Sequence, residues 1–101
     1  PKKDEFTILQ EKSNLELQKL TDIFQNFQNA PSDDQRKESA RQYTIQGQIT
    51  VKTMDDILNY ISDNPKYAKE KQDYTAAKQK ITKSIELFND FITKNVTTTV
   101  K

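Results

Sequence analysis

Three pairs of neighbouring carboxylates, Asp4-Glu5, Asp33-Asp34 and Asp55-Asp56, are the residues of this chain best placed to do chemistry. Paired acids serve general acid–base catalysis or hold a divalent cation when a cleft or loop brings further ligands to them. Here each pair falls where a helix begins or is able to begin, and acids in that position are explained by the positive end of the helix dipole. The grammar of an EF-hand loop, with its central Gly and closing Glu, is missing around Asp55, Asp56 and Asp63. Nucleophilic catalysis has no starting point either. The chain has no His and no Cys, and Ser13, Ser39, Ser62 and Ser84 have no Lys three residues on. A single Gly cannot build a phosphate loop or a dinucleotide fingerprint. The sequence therefore predicts a non-enzymatic protein with no catalytic residue, no metal, no cofactor and no small-molecule substrate.

Charge offers a second kind of chemistry. Residues 1–30 carry four basic and five acidic groups, residues 31–64 four and six, and residues 65–101 eight and four. The near-neutral total of +1 thus hides a final third of net +4. On a helical wheel Lys69, Lys80, Lys83 and Lys94 fall within about 60° of one another, opposite the stripe of Ile81, Ile85 and Phe88. A lysine row opposite a core is ordinarily a solvated face. Its functional counterpart is an electrostatic surface binder for an acidic protein, anionic lipid or wall polymer. Nucleic acid is the least favoured partner, because only Arg36 and Arg41 supply guanidinium groups and both lie elsewhere.

Apolar residues offer a third. Ile8 and Leu15, seven apart, miss the core stripe of the first helix; Ile45 points outward from the second, and Leu87 from the third, where it widens the dry arc beside Phe91. Single exposed aliphatics are ordinary, but heptad spacing is the seed of a second seam. Ile8, Leu15, Ile45, Leu87 and Phe91 are accordingly the expected contacts to a partner protein or to a second copy of the chain.

These side chains must be positioned by helices. From Asp4, the residues Phe6, Leu9, Leu17, Leu20, Ile23, Phe24 and Phe27 share one face. Ala30-Pro31 ends that helix, and Ser32 with Gln35 reads as a capping box for the next. Asn64-Pro65 suits a third start, followed by a stripe of Tyr67, Tyr74, Ala77, Ile81, Ile85, Phe88, Phe91 and Ile92. The tail VTTTVK is expected to be frayed or loosely docked. The stretch from Arg41 to Ile61 is ambiguous. Every second residue, Tyr43, Ile45, Ile49 and Val51 suggest a strand, and the β-branched density supports it. At steps of three and four, Tyr43, Gly47, Thr50 or Val51, Met54, Ile57 or Leu58, and Ile61 form a helical seam. A lone strand has nothing to pair with, so the long helix is preferred, with an interruption near residues 47–53 as the alternative.

The expected fold is all-α: one domain over residues 1–101, an antiparallel up-down-up three-helix bundle with helices at about 4–29, 33–62 and 65–95, about 40–45 Å long. Hydrophobic residues make up 33% of the chain and charged residues 31%, with a mean hydropathy of -0.96, so the core is expected to be thin. No apolar run approaches the 18 or so residues of a membrane span. Absence of Cys inclines the reading toward a bacterial extracytoplasmic or envelope location over the cytoplasm. The function expected is that of a non-catalytic helical protein–protein interaction module, with the electrostatic binder as the alternative.

Overall fold

The computed structural model describes residues 3–100, with side chains described for residues 3–94. Asp4 opens the first helix. Its backbone is extended, and its carboxylate accepts the Thr7 N–H at 2.8 Å, which satisfies one of the donors that a helix start leaves unpaired. Helix α1 then runs over Glu5–Gln28. Ser32 caps helix α2, Asp33–Ile61, by accepting the Gln35 N–H at 3.2 Å. At the next corner the Asn64 side chain accepts the Lys66 N–H at 3.0 Å, and Pro65 leads a single 3-10 turn, Pro65–Tyr67, before helix α3, Ala68–Val100. The expected third helix therefore begins three residues late, because Pro65 and its cap tighten the entry into a 3-10 turn. It also continues to Val100, past the expected end near residue 95. Docking of the tail falls on side chains outside the described residues.

Residues 43–52 are helical throughout, and no strand occurs among the described residues. The helical seam wins because its residues are those that bury: Tyr43, Gly47, Thr50, Met54, Ile57 and Ile61 lie inside, with Val51 and Leu58 half-buried beside them. Gly47 explains why the interruption is unnecessary. A Cβ built on it would stand 2.8 Å from Ile85 Cδ1 and 2.9 Å from Cγ1, so the missing side chain is the space into which α3 fits. The cost of about 1 kcal/mol for Gly in a helix is offset by this contact.

Antiparallel order follows from the ring contacts at the two ends. Phe6 near the start of α1 packs on Tyr67 with centroids 4.6 Å apart, and faces Tyr60 at the end of α2. Phe27 near the end of α1 meets Phe88 and Phe91 of α3 edge-on at 4.9 and 5.2 Å. Between these ends the backbones of α1 and α3 barely approach each other, whereas α2 packs along both. The result is an opened three-helix bundle of 56 × 26 × 15 Å. Its length exceeds the expected 40–45 Å because α3 alone, 33 residues long, spans about 50 Å at 1.5 Å per residue, and the 3-10 turn adds about 6 Å.

The two seams of α2 differ in chemistry. Toward α3 the contacts are large and apolar, with Tyr43, Met54, Ile81 and Phe88 buried in one cluster. Toward α1 small hydroxyl residues are buried: Ser13, Thr50 and Thr53. Each satisfies itself, as the Ser13 hydroxyl donates to the Gln10 carbonyl at 2.9 Å, Thr50 to Gln46 at 2.9 Å and Thr53 to Ile49 at 3.3 Å. Such back-bonding hides the polar atom and lets two helices approach closely. No helix among the described residues is long and apolar enough to cross a membrane.

Candidate functional site

The carboxylate pairs resolve into structural roles. Asp4 is a cap and Glu5 lies in the first turn of α1; Asp33 and Asp34 occupy the first turn of α2, where Asp33 also accepts from Arg36 at 2.8 Å. The Asp4 carboxyl is held below the ordinary carboxylate range, chiefly by the Thr7 N–H it accepts. Asp55-Asp56 departs from expectation. The pair sits inside an unbroken α2 rather than at a helix start, so the dipole does not explain it. Asp55 instead ties α2 to α3 through Lys78, and Asp56 pairs with Lys52 at 3.4 Å within its own helix. Asp63 pairs with Lys71 at 3.1 Å across the second corner. No cluster of three or more acids gathers among the described residues.

The outward aliphatics are where the structure becomes distinctive. Ile8, Leu15, Ile45 and Leu87 are all between 53% and 68% exposed. Three of them, Ile8, Leu15 and Ile45, are linked through Lys12. Lys12 lies one turn from both Ile8 and Leu15, in the same row on α1, and it shares a shallow surface hollow with Ile45, Ile49, Lys52 and Thr53 of α2. Ile45 and Ile49 thus meet α1 at Lys12, and Ile8 and Leu15 stand one turn to either side of Lys12 on that helix, so the four form a loose apolar patch interspersed with polar residues. Gly47 of α2 faces Ile85 of α3, and its neighbours two residues to either side project about 160° away. The patch accordingly lies on the side of α2 turned from α3. Ile49, 48% exposed, was missed as a contact residue although its signal was present. It was counted in the alternating pattern of a strand, whereas Ile45 and Ile49 are one helical turn apart on the same outward row.

Leu87 and Phe91 belong to a different surface. Because α1 and α3 stand apart, a cleft of about 320 Å³ opens between them, lined by Leu17, Leu20, Thr21, Phe24, Ile81 and Ser84, with Tyr43 at its floor. It runs into a slot of about 220 Å³ walled by Phe24, Phe27, Leu87, Phe88 and Phe91. Phe24 was expected in the core and is half-exposed instead, since the opening of the bundle removes the neighbour that would cover it. Phe91 is half-buried, edge-on to Phe27.

Leu87, one wall of this slot, stands in the lysine row. Lys80 and Lys83 stand seven and four residues before Leu87, and Lys94 seven after it, all in one row of α3; Lys69 extends the row toward the other end. Lys69, Lys80, Lys83 and Lys94 are exposed. Lys71 and Lys78, on the other flank of α3, hold Asp63 and Asp55, while Lys69, Lys80 and Lys83 form no ion pair among the described residues.

The chain matches no known protein family, no curated protein and no solved structure.

Proposed function

We propose that the protein is a non-catalytic helical interaction module that docks a helix of a partner protein, or a second copy of itself, on the face shared by α1 and α2. The observation that carries this reading is the gathering of Ile8, Leu15, Ile45 and Ile49, each about half or more exposed, from two helices onto one side. Scattered aliphatics are unremarkable on a soluble surface, but a gathered group framed by charged residues is the usual mark of a contact region. Lys12, Lys19, Lys52 and Asp56 supply that frame. Two parallel ridges, one from each helix, form a track into which a third helix fits ridge to groove.

Sedimentation velocity and retention of host proteins on the immobilised chain test the reading. Ile8→Asp with Leu15→Asp should reduce association at least tenfold while the helical circular dichroism is unchanged, since burying a Leu or Ile is worth about 1.5–3 kcal/mol. Ile45→Asp alone should act in the same direction, because it belongs to the same patch from the other helix. Unchanged sedimentation and unchanged retention in both variants refute the α1–α2 face.

A further inference from the structure

The open side between α1 and α3 carries a second and independent binding surface. We infer that it receives an acidic amphipathic helix. Three features of the molecule specify that occupant.

The first is shape. The cleft and the slot are continuous through Phe24 and Ser84. They follow α1 from Leu17 to Phe27, a distance of about 15 Å at 1.5 Å per residue, or nearly three helical turns. The walls are two helices running in the same direction, whose exposed rows are Leu17, Thr21 and Phe24 on one side and Ser84, Leu87 and Phe91 on the other. A trough of this kind accepts the ridge of another helix.

The second is chemistry along the floor. Phe24, Phe27, Phe88 and Phe91 meet edge to face, with centroids between 4.9 and 6.2 Å apart. They leave ring faces and Leu87 open to an entering apolar side chain. Leucine-type residues at positions i, i+3 or i+4, and i+7 of an incoming helix would reach the slot and the cleft in turn.

The third is the asymmetry of the rims, which sets the sign of the occupant. The α3 rim bears Lys80, Lys83 and Lys94 on the row of Leu87, and Lys80 and Lys83 have no carboxylate partner among the described residues. On α1 the cleft is lined by Thr21, and the residues in its helical row, Asn14, Gln25 and Gln28, are uncharged. Glu86, three residues after Lys83, and Asp90, four before Lys94, lie beside this row and offset part of it. A helix lying in the trough therefore meets the unpaired ammonium groups of Lys80 and Lys83 along one flank and uncharged polar groups along the other. Glu or Asp on that one flank completes the pairs, whereas Lys there is repelled. The occupant is thus apolar on one face and acidic on the flank facing α3. This surface does not rest on the α1–α2 face, which points the opposite way.

The test uses the full chain, immobilised, and a display library of amphipathic helices with a fixed leucine face and flanking positions varied among Glu, Gln and Lys. The expected outcome is enrichment of helices with Glu along one flank. Their affinity should fall at least tenfold on Lys80→Glu with Lys83→Glu, and at least tenfold on Leu87→Asp, yet stay unchanged on Ile8→Asp with Leu15→Asp. All of these substitutions are at exposed positions, and circular dichroism checks that each variant keeps its helices. Selection of neutral or Lys-flanked helices, indifference to Leu87→Asp, or loss of binding in the Ile8/Leu15 variant overturns the assignment. So does selection of no helix at all, including the case in which the chain sediments with phosphatidylglycerol vesicles in a Lys80- and Lys83-dependent way.

Discussion

Glu16 is the residue in this molecule that sits least comfortably. It is 7% exposed between α1 and α2, and its Oε1 has no hydrogen-bond partner. An unpaired buried polar atom costs about 1–3 kcal/mol, while the hydroxyl residues around it satisfy themselves. Glu16→Met keeps the side-chain length and removes the orphan, so it should raise the stability by roughly that amount, read as a shift of the urea midpoint with unchanged slope. Asp4 works in the opposite sense. Its carboxyl titrates below the ordinary range because the Thr7 N–H favours the charged form. The cap therefore stabilises α1 fully above the ordinary carboxylate pKa and loses that contribution as pH falls through the lowered value. Thermal melts from pH 6 down to pH 2 should show an acid-side drop that is smaller in Asp4→Ala, a variant already less stable at neutral pH. The caps Ser32 and Asn64 were legible in the sequence because capping is settled within three residues, whereas Asp4 was read as an acid at the positive end of the helix rather than as its cap. Glu16 was not, since a charged residue beside Leu17 reads as surface until the neighbouring helix is in place.

At the scale of the element, Gly47 decides how α2 meets α3. Its open space is filled by Ile85, so the two positions should be coupled. Gly47→Ala gains helix propensity of about 1 kcal/mol but forces Ile85 to move, and overpacking a fitted core costs about 1–3 kcal/mol. Alone it should be neutral to destabilising. In an Ile85→Ala background, where the space is empty, the same change should stabilise. A double-mutant cycle by denaturant unfolding measures this reversal of sign. The seam containing Gly47 could be read from spacing, and so could the length of α2. The pairing of Asp55 with Lys78 could not, because the partner lies on another helix and nothing local marks it. The separation of α1 from α3 was hidden for a related reason. A helical wheel reports which way residues point but not how near the opposing helix comes, so Phe24 was assigned to a core that does not close around it.

For the molecule as a whole, the expectation of three antiparallel helices holds, but the bundle is flattened, 15 Å through its thinnest direction. Its two candidate surfaces differ in what drives them. The α1–α2 face is driven by its aliphatic residues, and the α1–α3 trough is aromatic with a lysine rim. Salt separates the two. As ionic strength rises from 0.1 to 1 M the screening length falls from about 10 to 3 Å. Association on the aliphatic face should persist across that range, whereas capture of an acidic helix in the trough should weaken severalfold or more, as followed by fluorescence anisotropy of a labelled peptide at each salt concentration.

The thinness of the slab has a further consequence. With α2 packed along both neighbours, the aliphatic patch and the trough are the front and back of a single rigid wall only one to two helix diameters deep. Two proteins seated on them at once would be clamped back to back, unable to swivel against each other. The chain would then work as a brace, fixing the relative orientation of its two guests rather than merely keeping them close.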